Sequence, residues 1–388
     1  MQSLTAPPRD QLTTDQVVGL IRDAPDLRVA AGCELVDMDL TVLDEITDDF
    51  DGGSVTRDSY ATLHGSAQLA IERTLDWGTA IVRPYLVLSS ATTSARFNLG
   101  AYFTSSQRTQ LELMPTLYGV TGYDILDRLN DPVGEVYAVA AGASYLVEVE
   151  NILVAQGYSR YVIDQQATSS VLPSARTWAM EDSTTWLTVV NGLLSSVGYQ
   201  GIWSDWDGWL RAQPYAPPAH RSSEWTYDVE LPTSMLTPQR ALERDFYRAP
   251  NRWVFYRTNG VDGPAPVEGD GIYTFVNQSI GPTSVDARGG RVITKTVGID
   301  AATQSALVKT ARVTIDADMR VEAKLTLGTA PNPLHWHFDR VTVADPAVGP
   351  TAQALATKWT LPLNGDDMQH EWSLIPAGAT TLPDIQEV

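Results

Sequence analysis

The chain has a single cysteine, Cys33, which excludes an internal disulfide. A reducing cytoplasm is the expected place of synthesis, and packing must hold the fold together. No run of about 18 apolar residues exists, so no membrane-spanning helix is expected. The opening segment MQSLTAPPRDQLTTDQVV lacks a basic stretch followed by an apolar one, so no secretory signal is expected. Basic residues are scarce. Lys and Arg number 27 against 47 Asp and Glu, giving a net charge of −20 and a pI near 4.5. That balance argues against a protein that grips nucleic acid by its phosphates. It is compatible with a surface past which DNA slides without sticking, but simple solubility is the favoured reading. G-x-S-x-G elbows, phosphate-loop spacings and repeats of about 20–50 residues are all absent.

What is present is enough chain for about two or three domains. Residues 1–26 read as a polar arm with a helical patch, TTDQVVGLIRDA. From residue 27 the apolar period becomes 2. Val36, Met38, Leu40 and Val42 alternate with Asp37, Asp39 and Thr41, and Leu63, Ala67, Leu69 and Ile71 repeat the pattern. Further strand-like runs lie at 80–89, 97–105 and 110–117, which suggests a small antiparallel barrel or sandwich.

Residues 121–215 differ in kind. A short helix is expected at 123–130 and a longer one through Tyr145, Val149, Ile152 and Leu153, ending at Gly157. Trp186, Val190, Leu193, Leu194 and Val197 then fall at helical spacing. Asp182 or Ser183 is the expected cap, and Gly198 the stop. This helix runs into a Trp-rich hairpin turning at Asp207-Gly208. Beyond Pro214, Pro217 and Pro218, strands are expected at 225–231 and 253–258. A loop follows at 259–271, then a hairpin of 272–280 with 291–299, and a helix within 301–319. Strands return at 321–327, 341–343 and 354–363, the last pairing through Asn364-Gly365 with 369–374. The fold class expected is mainly β with α+β insertions.

Four places carry residue types that suggest chemistry. Asp44, Glu45, Asp48, Asp49 and Asp51 crowd one turn, but no bidentate Glu follows at Ca²⁺-loop spacing, so a solvated hairpin tip is the better reading. His335 and His337 would share one face of a strand, yet no Cys or further His lies nearby to complete a metal site. Asp205 and Asp207 flank Trp206 in the manner of a glycosidase pair, but the same letters make an Asp-Gly hairpin, which is the favoured reading. Trp203, Trp206 and Trp209 suit sugar stacking or a protein interface, and the interface is favoured. No catalytic residue, cofactor or metal is assigned. The candidate interface or lumen residues are Asp44, Asp48, Asp49, Asp51, Trp203, Trp206, Trp209, His335 and His337.

The segment Trp186…Asn191…Leu194…Gly198-Tyr199…Asp207-Gly208…Leu210-Arg211…Pro214-Tyr215 resembles one found in minor tail proteins of long-tailed actinobacterial phages. Three further pieces keep that family's order. They are Leu75-Asp76-Trp77…Arg83-Pro84-Tyr85 with 97–103, Arg248-Ala249-Pro250-Asn251-Arg252, and Leu325–Leu334 with Asp339-Arg340-Val341. At Phe97-Asn98 the chain departs from the family, which more often has a Pro before the Leu-Gly. The family is similar to the tail hub, or baseplate hub, of tailed phages.

The resemblance implies two tube-like β-barrels per chain. Three chains would form a pseudo-sixfold ring continuing the tail tube, with the acidic tip near its lumen. The domains expected are an arm (1–26), barrel one (27–120) and a peripheral α+β domain (121–219). Barrel two (220–260 plus 320–375) would enclose an inserted domain (261–319), before a tail (376–388). The partners implied are two further copies, the distal tail protein and tail tube above, and the tape-measure C-terminus in the lumen. Tail-tip or receptor-binding proteins would lie below, with DNA only in transit. The location implied is the distal tail tip of a virion assembled in the host cytoplasm. With little chain beyond the second barrel, no lytic or fibre domain is expected. A carbohydrate- or receptor-binding module and a cell-wall glycoside hydrolase are the alternatives.

Overall fold

Most of the period-2 runs become strands, and the chain is mainly β with α+β insertions. The computed structural model describes residues 1–4, 11–110, 116–166, 170–181, 183–244, 249–258, 267–320 and 323–376. Most of the expected loop at 259–271, and the tail from 377 on, lie outside them.

Among the described residues, fourteen strands form one large sheet. Eight come from the N-terminal part, Arg28–Val36 through Leu117–Asp124, and six from the C-terminal part, Trp225–Asp228 through Met368–Leu374. The halves join where Gly349–Pro362 pairs antiparallel with Phe50–Asp58, in the register Lys358↔Asp58, Trp359↔Arg57 and Leu361↔Val55. One continuous core runs under both halves, from Val55, Leu69, Leu86 and Phe97 to Trp336, Trp359 and Trp372. Burying a large apolar side chain stabilises by roughly 1.5–3 kcal/mol, so a shared core fixes the two halves to each other. The helix α1 (Thr14–Arg22), started by a Thr13–Gln16 capping box, adds Val17, Leu20 and Ile21 to it.

The insertion between the halves has its own core. There α2 (Tyr145–Ala155) packs on α3 (Trp186–Ser196). Gly157 and Gly198, at φ +81 and +75, follow the helices in the left-handed conformation. A further unit packs α4 (Gln304–Arg320) on a four-stranded sheet.

Several expectations need correction. The helix cap is Thr185, paired with Thr188 in a capping box, because Thr185 stands immediately before the first helical residue. In the α3 stripe Leu187 is buried, while Trp186 sits half-exposed, edge-on to Tyr137. The alternation from Val36 to Val42 is broken. The Asp37 and Thr41 backbones close a turn, with Leu40 at φ 59, and the chain reverses into Val42–Glu45. The runs near 272 and 294 do not pair with each other. Both pair with Arg252–Arg257, which lies between them, because Trp253 and Phe255 belong to the core under α4. His335 and His337 lie in a loop before the strand Asp339–Asp345, not on a strand.

Candidate functional site

The Trp-rich hairpin is a wedge at the meeting point of the two sheet halves. Its strands, Trp203–Ser204 and Leu210–Ala212, are joined by the Asp205–Trp209 turn. Asp205 organises that turn from inside. It accepts the amides of Asp207 (3.0 Å) and Trp209 (2.9 Å), and Nε of Arg211 at 2.7 Å. Burial pushes its carboxyl pKa up, opposed by Arg211. Asp207 accepts Nδ2 of Asn98 at 2.7 Å, and the Trp206 carbonyl accepts the Gly100 amide. The two carboxylates are therefore a turn brace and a tether to the N-terminal half. Gly208 fills the tip at φ +94, where an added Cβ would sit 2.8 Å from Ala101.

Beneath the hairpin lies a buried polar cluster. Arg57 shares the inward face of its strand with Val55. Its guanidinium lies 3.4 Å from Asp124 and donates to the Ser204 carbonyl at 2.8 Å. It also stands 4.5 Å over the Trp336 ring. Ser204 Oγ donates to Asp124 at 2.7 Å, and Trp336 Nε1 donates to the Ser204 carbonyl at 2.8 Å. Burial works against both charges, drawing the Arg57 pKa down and the Asp124 pKa up, and their attraction offsets this. The cluster locks the N-terminal half, the hairpin and the C-terminal half together.

A second chain of hydrogen bonds runs through the C-terminal half. Asn332 Nδ2 donates to Tyr227 Oη, which lies 2.6 Å from His335 Nε2. His335 Nδ1 lies 3.0 Å from Asp339, whose carboxylate also accepts the Trp336 amide and the Met1 ammonium. Tyr227–His335–Asp339 has the connectivity of a general-base relay. His335 is 0% exposed, however, and Tyr227 and Asp339 are each 1% exposed, so no substrate reaches them. The relay braces the loop that presents Trp336.

The other candidates scatter. Trp203 lies flat on His337, and Trp206 meets Trp336 edge-on. Trp209 lies near Arg160 and Arg211. All three tryptophans are half-buried, and their ring contacts are internal. Asp44, Asp48 and Asp51 are exposed and Asp49 is half-buried, and Arg73 pairs with Asp44 at 2.7 Å. That bond to Arg73 holds the Asp44 carboxyl below its usual range. Among the described residues no group of three or more His, Cys, Asp or Glu could hold a metal, and no helix is long and apolar enough to cross a membrane. Arg57, Asp124, Ser204 and Trp336 were not singled out from the sequence. The one signal available was parity, since an arginine two residues from Val55 in an alternating strand must point inward.

No known family model matches the sequence, and no curated protein matches it. Solved structures do. The tail protein from Neisseria meningitidis MC58 is similar over 91% of this chain and 98% of its own, at 15% identity and a TM-score of 0.61. The 43 kDa tail protein of prophage MuSo2 from Shewanella oneidensis covers 89% and 98%, at 10% identity and 0.58. Prophage tail protein gp18 from Listeria monocytogenes EGD-e covers 88% and 94%, at 11% identity and 0.51. The chain shares its fold, over most of its length, with these tail and prophage tail proteins.

Proposed function

We propose that this protein is a structural tail hub. It would sit at the distal end of a phage tail and form a homotrimeric, pseudo-sixfold ring that continues the tail tube. The observation that carries this reading is the Phe50–Asp58 ladder with Gly349–Pro362, which fuses two sheet halves over one core. Three chains with two rigidly joined halves each would place six around an axis. The halves would be the two barrels. Arg252–Arg257 is best grouped with the inserted domain, since it pairs there. DNA and the tape-measure protein would pass through the ring, with a distal tail protein and tube above and tip or receptor-binding proteins below. The location would be the virion, after assembly in the host cytoplasm.

The role is non-enzymatic on this reading. The site's polar groups are spent on internal braces: Asp205 on its turn, Asp124 on Arg57, and His335 on Asp339. Sugar binding loses support because the three hairpin tryptophans pack internally. Native mass determination with negative-stain imaging tests the proposal. A threefold ring at about three times 42.3 kDa is expected. A monomer at every concentration, both alone and co-produced with neighbouring tail proteins, would overturn it.

A further inference from the structure

A cleft of about 330 Å³ opens where several parts of the chain meet. Its walls come from the turn after Asp58, the end of α3, the linker at 215–221, one face of α4, the loop at His337 and Leu355 of the strand Gly349–Pro362. The volume falls in the range of small-molecule sites. Its lining is unusual for this protein. None of the described residues that line it is Asp or Glu, in a chain with 47 of them. Hydroxyls and amides take their place, among them Ser195, Thr314, Asn191 and Gln200. Val313, Ala317 and Leu355 supply an apolar side.

Four lining residues carry polar atoms that are out of solvent and lack a hydrogen-bond partner: Oγ of Ser59, Nδ1 of His64, Nδ1 of His337 and Nε of Arg221. Buried polar atoms are nearly always matched, so four unmatched at one cleft ask for an explanation. The His64 and His337 rings lie 4.7 Å apart. Burial keeps both imidazoles neutral, and the charges of Arg57 on both and of Arg221 on His337 act in the same direction. Two neutral imidazoles could begin a metal site, but the cleft offers no carboxylate or thiolate to finish one, and the guanidiniums repel a cation. The same field attracts an anion. A guanidinium fits a carboxylate best, and the apolar side suits the carbon skeleton of an organic acid.

We propose that this cleft is a binding site for an organic carboxylate, whose oxygens take N–H donors from Arg221 and the His64–His337 pair. The carboxylate could belong to a free acid or to the C-terminus of another chain. The two share their chemistry and are separated by experiment. The site is independent of the hub reading, since it needs one chain only.

The test uses full-length protein with ¹⁵N-labelled histidine, whose five imidazoles are assigned by single substitutions. Three probes are titrated: sodium propionate, an N-acetylated tripeptide with a free C-terminus, and the same peptide as its amide. The His64 and His337 signals should move saturably with a carboxylate probe, while those of His335 and His370, buried in the other network, stay fixed. A response to propionate identifies a free-acid site. A response to the peptide acid without propionate identifies a chain terminus. Thr314→Glu, on a half-buried position of α4, places a like charge in the wall and should weaken binding about tenfold. Unchanged His335 and His370 signals in that variant show that it folds. No shift with either acid, equal shifts with the amide, or undiminished binding to Thr314→Glu would overturn the proposal.

Discussion

Trp336 donates its indole N–H to the main-chain carbonyl of Ser204, 2.8 Å away and 132 residues earlier in the chain. The same carbonyl accepts Arg57, and Arg57 lies over the same indole. Three remote segments therefore meet at one oxygen.

Arg57→Met should be among the most damaging single changes. It removes the guanidinium and leaves the Asp124 carboxylate buried beside Ser204 without its cation. Breaking one side of a buried pair costs about 3–5 kcal/mol. Adding Asp124→Asn should restore part of that loss. Urea titration of both variants reads this directly, and equal stabilities for Arg57→Met and the parent would show that the cluster holds nothing.

Gly208→Ala should destabilise by about 1–3 kcal/mol, because its positive φ and its contact with Ala101 both resist a Cβ. Gly134→Ala is the control. Its φ is +74, but nothing lies within 4 Å of the added carbon, so only the backbone term applies. Thermal midpoints should order as parent, Gly134→Ala, Gly208→Ala. A reversed order would mean that the hairpin tip is not wedged in place.

Stability should respond to mild acid through the buried imidazoles. His64 is held down to about 3, and His337 and His370 lie well below the usual value, in each case chiefly by burial. Below an unfolded pKa of about 6.5 such groups bind a proton only in the unfolded chain, so each lowers stability by up to about 1.4 kcal/mol per pH unit. The raised Asp124 and Asp205 act in the opposite sense, since the folded chain takes up their protons first. The clean readout is therefore a difference. His370→Gln should flatten the dependence of unfolding free energy on pH between about 6.5 and 5. Parallel profiles for variant and parent would contradict the assignment.

Cys33 is 0% exposed, and burial with nearby Glu45 and Glu34 pushes its thiol pKa up. It should ignore a thiol reagent at mildly alkaline pH in the native protein and react fully once urea unfolds the chain. Prompt labelling of the native protein would place the residue at a surface.

The sequence was most informative where a signal was local. Asp207-Gly208 and Asn364-Gly365 marked real turns, and the spacing from Val190 to Val197 marked a real helix face. It misled where a distant contact decided the outcome. Leu40 continues an alternating pattern on paper, yet it takes a left-handed turn and packs against Gly208. His335 and His337 look like a pair, but one braces Asp339 while the other stacks with Trp203. The polar cluster was invisible for the same reason, since Arg57, Asp124, Ser204 and Trp336 belong to four separate segments.

The ladder between the halves has a consequence for synthesis. The hydroxyls of Thr56 and Thr360 lie 2.9 Å apart across 304 positions of sequence. At roughly 5–20 residues per second, translation delivers the second strand about 15–60 s after the first. Through that interval the edge of Phe50–Asp58 stands open on the nascent polypeptide, a template for any passing strand. Yield on overproduction should therefore depend on chaperone supply and translation speed as well as on the stability of the finished fold.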